Sequence, residues 1–506
     1  MKHFSKNYLA MQYPLANEKN EELLTLSYNY VLEMSKSKPF NIQCIAIKNF
    51  FKNSENEPLK DHSYHSNYQV FCDKHPINCA RDFIYKKDYY TTREMYLIAP
   101  SHYLYYTYNV FKYFYKTFGR IKLDFSTINL QINYSGIISF TKEEPIKELS
   151  KFNHSYELFQ DKKNEFIGNK VLTIDIQDFF KNISSKKLID KLRRKNPSKI
   201  CENDINNLEQ FFNANYYTHL PQFHYSIASS SLSQFYLTDF SNEVDRILLK
   251  ENCEGVRFVD DMFIRLPKGK WTKTINNMLN EFTYHLWCDG LNLNTSKTKI
   301  FDKNEYEKSV ELEEGSYFDE QVSRQNNKSK SRFPTEKLIA DKVDKLLTND
   351  AELLETFLIK LKKLDNTKGI DLTEYHKLVD QYIAIDGEHV SKVINNLMYG
   401  YKWKALSPST LNKLISNNRF IFFNPSQFTT FFILIYEHLK LLNKLENDFL
   451  SILINLLKHQ NSYTLRECII TIQHFVQIKS LDLELEKKII DVNAEFINFV
   501  REYIIK

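Results

Sequence analysis

Three segments of the sequence place charged or polar side chains inside runs that otherwise have the apolar character of buried strands. They are residues 174–180 (IDIQDFF), 257–264 (RFVDDMFI) and 290–298 (GLNLNTSKT). A carboxylate at the end of an apolar strand is costly unless something neutralises it, and a divalent cation does so well. The aspartates of the first two segments are therefore candidate metal ligands.

The chemistry that such aspartates could support is phosphoryl transfer to a hydroxyl group. That reaction uses two Mg²⁺ ions about 4 Å apart, which activate the attacking oxygen and stabilise the leaving oxygen. Each segment also has a simpler interpretation: Asp260 and Asp261 as a solvated turn, Asp175 as a strand-end residue, and Lys297 as a surface lysine. The occurrence of the three segments together, in this order, favours a shared site.

The residues around these segments have the patterns of short strands. Residues 171–176 form a short apolar run and predict a buried strand. Residues 257–266 contain two apolar halves separated by the acidic pair, which predicts a hairpin with its turn at the acids. Residues 130–140 alternate and predict another strand. Further upstream, the pattern predicts a helix over residues 21–34. Over residues 93–115 it predicts a strand, a turn and a second helix.

The C-terminal part of the chain has a different pattern. Residues 321–334 are rich in basic and polar residues and end at a proline, so they predict a loop or linker. Helical stripes of apolar residues then occur in the segments 335–347, 350–361, 445–456 and 469–476. Their lengths vary too much for a strict repeat, so we expect paired antiparallel helices stacked as an irregular, HEAT-like solenoid. The apolar run 420–436 contains Asn, Pro and Gln and predicts a buried helix rather than a membrane span.

Composition limits the possible classes of protein. With 10 Gly and 12 Pro among 506 residues, the chain favours a helix-dominated architecture and excludes glycine-rich nucleotide loops as its main device. The hydrophobic share of 42% and the charged share of 26% are typical of globular proteins. A net charge of +5 permits a nucleic-acid-binding surface without requiring one.

The cysteines indicate a reducing compartment. Seven are scattered along the chain without a CxxC pair, and no signal peptide opens the sequence, so we expect a cytoplasmic protein with reduced thiols and no membrane partner. Cys72, His75 and Cys79 could form one half of a zinc site, as could His62 and His65. Neither set has a matching second half, and we interpret both as ordinary residues.

Taken together, the three charged segments resemble the palm motifs of reverse transcriptases. The likeness lies in DIQDFF, with an aromatic residue five positions after its first aspartate, in the aromatic-x-Asp-Asp of FVDD, and in GLNLNTSKT. It covers roughly residues 90–300, and the intervals of 85 and 37 residues between the aspartates and the lysine suit such a palm. By this resemblance Asp175, Asp260 and, more peripherally, Asp261 would bind two Mg²⁺ ions, for which Mn²⁺ could substitute.

The resemblance also implies roles for other residues. Lys297 would approach the leaving pyrophosphate as a proton donor. Phe180 falls where the family places the aromatic ring that clashes with a 2′-hydroxyl, which implies a preference for deoxynucleotides. Further candidate dNTP contacts are Ser229, Arg93, Lys86 and Lys87.

One family element is altered in this sequence. Reverse transcriptases carry Pro-Gln-Gly-x-x-x-Ser between their first two aspartate motifs, and its glycine lets the template and the incoming base approach closely. Here residues 220–223 read LPQF, and the following serine-rich run at 228–233 (ASSSLS) contains no glycine. The departure points away from templated copying.

A reverse-transcriptase palm with this departure, joined to a long helical C-terminal half, is similar to the abortive-infection reverse transcriptases of bacteria and prophages (the AbiK-like group). The resemblance implies a nucleotidyltransferase for antiphage defence that makes single-stranded DNA from dNTPs without a template. It further implies a protein hydroxyl as primer, a covalently attached product and a homo-oligomer. Tyr8 and Tyr13 are candidate primers, because an N-terminal segment could deliver them to the metal ions.

The resemblance implies an α+β architecture in two domains. The reverse-transcriptase-like domain would cover residues 1–325, with fingers at about 1–165 and a palm at about 166–320. An all-α, irregular-solenoid domain would cover residues 326–506.

Two other functions stay open. One is an RNA-templated reverse transcriptase of the retron or intron type. The other is a catalytically inactive palm that serves as a protein-interaction module in defence. An aromatic cluster could stack on single-stranded DNA, although packing in a core is the favoured interpretation. Its members are Tyr103, Tyr105, Tyr106 and Tyr108.

Overall fold

A computed structural model gives the structure of the protein. It describes residues 17–37, 41–53, 56–85, 92–118, 124–134, 152–196, 199–267, 271–307, 310, 408–409, 411–412, 435, 438–445 and 483–504. The chain divides into two compact units, of which the first comprises residues 1–39, 43–82 and 95–308, and the second comprises residues 40–42, 83–94 and 309–506.

The described residues form a mixed α+β fold in which helices predominate, as the sequence predicts. The helices are α1 (Asn17–Ser37), α2 (Ile42–Phe51), α3 (Tyr68–Lys74), α4 (Pro100–Phe118), α5 (Phe152–Asn164), α6 (Phe179–Asn182), α7 (Ser185–Arg194), α8 (Glu202–Ala214), α9 (Ile227–Tyr236), α10 (Thr238–Lys250), α11 (Trp271–Cys288) and α12 (Leu483–Tyr503). The strands are β1 (Cys79–Tyr85), β2 (Thr92–Ile98), β3 (Leu130–Asn133), β4 (Lys170–Asp175), β5 (Glu254–Phe258), β6 (Asp261–Leu266) and β7 (Lys299–Phe301).

A five-stranded sheet in the order β3-β5-β6-β4-β7 lies at the centre of the first unit. β3 runs parallel to β5, whereas the other neighbouring strands are antiparallel. β4 confirms the strand predicted at 171–176, and β5 with β6 confirms the hairpin predicted at 257–266. β3 confirms the start of the strand predicted at 130–140, and residues 135–140 lie outside the described residues.

β4 is stabilised by neighbours on both sides and by apolar side chains. Val171, Leu172 and Ile174 are all buried, as expected for a central strand covered on both faces. On one side of the sheet, Phe159 of α5 packs against Phe258, with ring centroids 5.4 Å apart. This packing places α5 against the β5–β6 hairpin, and the pairing of β4 with β6 joins β4 to the same layer.

The aromatic cluster predicted in residues 93–115 belongs to the core. α4 follows β2 directly, which confirms the predicted strand, turn and helix, and α1 confirms the helix predicted at 21–34. The four tyrosines of the cluster are buried, and the ring of Tyr106 stacks on Phe211 with centroids 4.8 Å apart. The Tyr105 hydroxyl donates a hydrogen bond to the carbonyl of Ser66 across 2.8 Å. These rings therefore pack between elements and are not available to stack on a nucleic acid.

The described part of the second unit includes α12. Its backbone leaves the helical conformation at Asn493, whose side chain accepts a hydrogen bond from the backbone N–H of Phe496 and so caps the second half of the helix. Phe496, Val500 and Tyr503 are buried at helical spacing. The apolar stripes predicted between residues 335 and 476 lie outside the described residues, and the solenoid stays a prediction.

The described residues include cysteines, whose pairing can be compared with the sequence prediction, and helices, which can be compared with the length and polarity of a membrane span. Their cysteines are free thiols, and His75 pairs with Asp61 (Nε2 to Oδ2, 2.8 Å) rather than with a second zinc ligand. No helix in the described part of the chain combines the length and the apolar character required to cross a membrane.

Candidate active site

Asp175 and Asp261 face each other across two adjacent antiparallel strands. Asp175 is the last residue of β4, Asp261 is the first residue of β6, and the two are paired in the strand register. Their carboxyl groups interact, and this interaction contributes to a raised pKa of Asp261. Asp260 directly precedes Asp261 in the hairpin turn, and its charge acts on Asp261. The structure thus brings the three predicted aspartates to one end of the sheet.

The short turn of the β5–β6 hairpin determines the position of Asp260 and Asp261. Phe258 pairs with Asp261, which leaves Val259 and Asp260 as a two-residue connection. Val259 has a φ of 55°, and such hairpin turns require a left-handed residue at this position. The turn therefore lies at the acids, as predicted from the sequence.

The third predicted segment, 290–298, contacts the end of β4. Ile176 forms a bridge with Leu293, and the backbone N–H of Asn294 donates a hydrogen bond to the carbonyl of Asp175 across 2.8 Å. Nζ of Lys297 then lies 2.9 Å from Oδ2 of Asp175. The three charged segments of the sequence meet at this point.

Asn294 is a site residue that the sequence did not reveal. Its Nδ2 donates to Oδ1 of Asp175 across 2.7 Å, and its own Oδ1 accepts a hydrogen bond from Oγ of Ser296, also across 2.7 Å. Asp175 is only 5% exposed, and each of its carboxylate oxygens has a donor. Its side chain is therefore fixed in orientation. The available signal was a polar residue directly after the second leucine of GLNLN.

The acids raise the pKa of Asp261. Asp261 is exposed as a residue, but its carboxyl group is crowded by protein atoms. Desolvation, the charge of Asp260 and the hydrogen bond with Asp175 raise its pKa to about 7, and the charge of Lys297 opposes them. Negative charges so close together indicate a place where a bound cation would be favourable.

Lys297 responds to the same charges in the opposite direction. Desolvation is the largest cause acting on its pKa and lowers it, but the hydrogen bond and charge of Asp175, together with the charges of Asp261 and Asp260, raise it above the ordinary value. Lys297 is therefore protonated at neutral pH. A protonated lysine beside a cluster of acids has the state required of a proton donor.

The donor chemistry of the site fits Mg²⁺, whereas its arrangement does not present a preformed metal cluster. Carboxylate oxygens are the ligands that this ion prefers. Within the described residues, no three His, Cys, Asp or Glu side chains are grouped as metal ligands. Asp175 is itself engaged by protein donors, because its oxygens accept hydrogen bonds from Asn294 and Lys297. A metal ion at this position would replace Lys297 as the partner of Asp175.

Phe180 lies close to the acids along the chain and is only partly buried. It belongs to α6, which begins directly after Asp178, a residue with a φ of 44°. The preceding Phe179 is buried, with its ring centroid 5.4 Å from that of Phe180. Of the two rings, Phe180 is thus the one that a ligand could contact.

The placement of Ser229 argues against the predicted dNTP contact. The residue is 2% exposed, and its hydroxyl donates a hydrogen bond to the carbonyl of Pro221 across 2.7 Å. Oγ also lies 3.3 Å from the Tyr106 hydroxyl. The Ser229 side chain therefore joins α9 to the loop before it instead of facing a ligand.

Of the remaining predicted contact and primer residues, one belongs to the described part of the chain. Arg93 is exposed on β2. The lysine and tyrosine candidates, Lys86, Lys87, Tyr8 and Tyr13, lie outside the described residues.

The altered family element is part of the core. Phe223 stands where the family pattern has glycine, and it is 2% exposed. Its ring packs edge-on against Tyr106 and Tyr217, with centroids 5.6 and 5.7 Å apart. Beside it, the carbonyl of Gln222 accepts a hydrogen bond from the N–H of Tyr96 across 3.0 Å. A buried phenylalanine therefore anchors this loop, where a glycine would leave open space.

No model of a known protein family matches the chain, and no curated protein matches it at a significant level.

Proposed function

We propose that the chain is a nucleotidyltransferase of the reverse-transcriptase type, which joins dNTPs into DNA. The observation that supports this proposal is the pairing of Asp175 with Asp261 at the ends of adjacent strands, with Asp260 in the turn and Lys297 on Asp175. Acids from two neighbouring strands, together with one lysine, are the set of groups that phosphoryl transfer to a hydroxyl requires.

In this proposal the three aspartates, Lys297 and Asn294 have different roles in the reaction. Asp175, Asp260 and Asp261 would hold Mg²⁺, or Mn²⁺ as a substitute, and when bound the two ions would activate the attacking hydroxyl and neutralise the phosphate. Lys297, which is protonated at neutral pH, would deliver a proton to the leaving pyrophosphate oxygen. Asn294 would keep Asp175 in orientation through its hydrogen bond.

The partly buried ring of Phe180 supports selection of deoxynucleotides. Phe180 is fixed by its packing against Phe179, so that it would present a rigid edge to the sugar of a bound dNTP. A 2′-hydroxyl would clash with a rigid ring, whereas a 2′-hydrogen would fit. The expected substrates are therefore dNTPs rather than NTPs.

The loop at Phe223 supports synthesis without a template. The ring occupies buried space at the position where reverse transcriptases have the glycine that permits close approach of the template base pair. We therefore favour untemplated synthesis of single-stranded DNA, primed by a tyrosine hydroxyl of the protein and covalently attached to it, in a cytoplasmic homo-oligomer that acts in antiphage defence. On this proposal the first unit contains the fingers and palm, and the helical solenoid follows them.

Purified protein incubated with dNTPs and Mg²⁺, without any nucleic acid, tests the proposal. We expect a high-mass product that is sensitive to both protease and nuclease. Asp175→Asn removes one carboxylate charge at nearly constant shape and should abolish the product. The matched control is Asp178→Asn, because Asp178 is exposed and its side chain makes no capping hydrogen bond. Product from Asp175→Asn at the wild-type rate would refute the proposal.

A non-enzymatic defence module is the second candidate. The observation that favours it is that both oxygens of Asp175 already have protein donors, so that the ion pair with Lys297 could be purely structural. This candidate predicts no nucleotide incorporation and unchanged phage resistance for Asp175→Asn. Faithful copying of an added RNA template would instead support a templated reverse transcriptase.

A further inference from the structure

Arg257 is an unusual residue beside the acidic turn. It lies on β5, and its side chain is fully buried, with 0% exposed. Arginine is almost never buried to this extent unless a carboxylate pairs with it. Within the described residues, however, its guanidinium donates hydrogen bonds to neutral acceptors, namely the carbonyl of Val259 and Oγ of Ser241, each 2.9 Å away. Its Nε has no hydrogen-bond partner among the described residues.

A buried cation of this kind is costly, because it loses its hydration without gaining a carboxylate partner. Desolvation lowers the pKa of Arg257 to about 9, and the nearby charge of Asp260 opposes that change. The guanidinium is therefore still protonated at neutral pH. Asp260 is the charged group that acts on it. The cost of burying the cation points to a role in the turn that carries Asp260.

The turn itself is strained. Val259 has a φ of 55°, a left-handed conformation that is a clear outlier for a β-branched residue. Such a conformation is energetically unfavourable and persists only where the surrounding structure enforces it.

Both backbone polar groups of Val259 are held by partners from other parts of the chain. Its N–H donates a hydrogen bond to the carbonyl of Asn133, at the end of β3, across 3.0 Å. Its carbonyl accepts one from the guanidinium of Arg257. Ser241 on α10 fixes the guanidinium in turn, and its own hydroxyl donates to the carbonyl of Leu237 across 2.8 Å. The strained residue is thus clamped on both sides.

We propose that Arg257 is a positioning residue, which clamps the strained turn at Val259 and thereby fixes Asp260 and Asp261 for metal binding while placing a positive charge near the acids. This assignment rests on the proposed function, because it concerns the same aspartates. Arg257 does not touch the substrate in this role. It acts through the backbone of the residue that precedes Asp260.

Metal affinity is the readout that separates positioning from simple stability. The dissociation constant for Mn²⁺ is measured on the full-length protein by the loss of the free-ion electron paramagnetic resonance signal. We expect Arg257→Gln to raise this constant at least tenfold, since residues that orient metal ligands contribute about 10–100-fold to affinity. Arg257→Lys keeps the positive charge but lacks the two guanidinium nitrogens that donate to Val259 and Ser241. Its dissociation constant should lie between those of the wild type and Arg257→Gln.

Lys112→Gln provides the matched control. Lys112 is a buried cation on α4 that pairs with Asp204 across 2.9 Å, and Lys116 still pairs with Asp204 after the substitution. We expect this variant to lose stability while its Mn²⁺ affinity stays within twofold of the wild type. An equal loss of affinity in Lys112→Gln and Arg257→Gln would show a general effect of burial and overturn the assignment.

The outcomes separate this assignment from the proposed function. If the wild type binds no Mn²⁺, both fail. If the wild type binds Mn²⁺, Asp175→Asn does not, and Arg257→Gln binds like the wild type, only the role of Arg257 is overturned. Should Arg257→Gln fail to fold, Ser241→Ala decides, because it removes one anchor of the guanidinium and keeps the charge. We expect about a threefold weaker affinity there, and an unchanged value overturns the assignment.

Discussion

Lys297 and Asp175, which lie 122 positions apart in the sequence, form an ion pair across 2.9 Å. The two members differ in exposure, since the lysine side chain is 64% exposed and the aspartate 7%. The aspartate is therefore fixed in place, whereas the lysine has room to exchange its partner. Such a pair can hold the acids together before a cation binds and then release the lysine to serve as a proton donor.

Lys297→Met should slow nucleotide incorporation by about a hundredfold, because general-acid catalysis typically contributes about 10²–10⁴-fold to a rate. Single-turnover incorporation of dNTP at saturating Mg²⁺ measures the effect. Lys299→Met is the control from the same segment, since Lys299 is exposed and its ammonium lies over the ring of Phe301. Equal rates for the two variants would contradict the assigned role of Lys297.

Asp261 should make the protein less stable as the pH rises. Its pKa is about 7 in the folded, metal-free protein, against about 3.9 for an ordinary aspartate. Between these values the folded state keeps a proton that the unfolded state has lost, so the contribution of Asp261 to the free energy of unfolding falls as the pH rises from about 4 to about 7.

Urea denaturation of the wild type and of Asp261→Asn, at pH 5 and pH 8 with a chelator present, isolates this effect. The asparagine variant cannot lose a proton, so it should gain stability relative to the wild type on going from pH 5 to pH 8. Mg²⁺ added at pH 8 should reduce that gain. A difference between the two proteins that is the same at both pH values would exclude the raised pKa.

Phe180→Ala should relax the choice of sugar. Removing the ring leaves room for a 2′-hydroxyl, and we expect the preference for dNTPs over NTPs to fall by about tenfold or more, the scale of a steric pocket change. Competition between dATP and ATP for incorporation gives the ratio directly. Phe180→Tyr keeps the ring and serves as the control. If the alanine variant discriminates as well as the tyrosine variant, another group selects the sugar.

Asp204 should contribute to the stability of the fold and not to nucleotide incorporation. Its carboxylate is 1% exposed and pairs with Lys112 and Lys116. Removing it with Asp204→Ala leaves two cations without a partner, and we expect a loss of about 3–5 kcal/mol in the free energy of unfolding. Asp302→Ala, which breaks an exposed pair with Lys170, should cost less than about 1 kcal/mol. Denaturant melts that rank the two variants in the reverse order would contradict this.

The strands that carry the acids could be predicted because their sequence signals are local. Apolar runs of strand length identify β4 and the β5–β6 hairpin, and the acidic pair between two apolar halves identifies the turn. The proximity of these segments in the fold has no local signal, because it depends on the order of strands in the sheet. Only the presence of three charged segments in otherwise apolar runs predicted that they share one site.

Other site features could not be predicted, since they depend on contacts between distant residues. Arg257 in RFVDD has the appearance of a strand-end residue, and only the position of Ser241 on α10 shows that its guanidinium is enclosed. Asn294 acquires its role from Asp175, which is 119 positions away. Ser229 is a further example, because its position in a polar run gives no sign that the fold buries it and that its hydroxyl donates a hydrogen bond to the carbonyl of Pro221.

The position of β4 in the sheet has a consequence for protein synthesis. Its two neighbours, β6 and β7, both follow it in the chain. A ribosome that has translated only as far as α10 carries Asp175 without Asp260, Asp261 or Lys297, and domains generally fold as units during translation. Nascent chains therefore cannot bring Asp175, Asp261 and Lys297 together until the segment that leads into β7 has left the exit tunnel. On the proposed function, incomplete translation products would therefore lack polymerase activity.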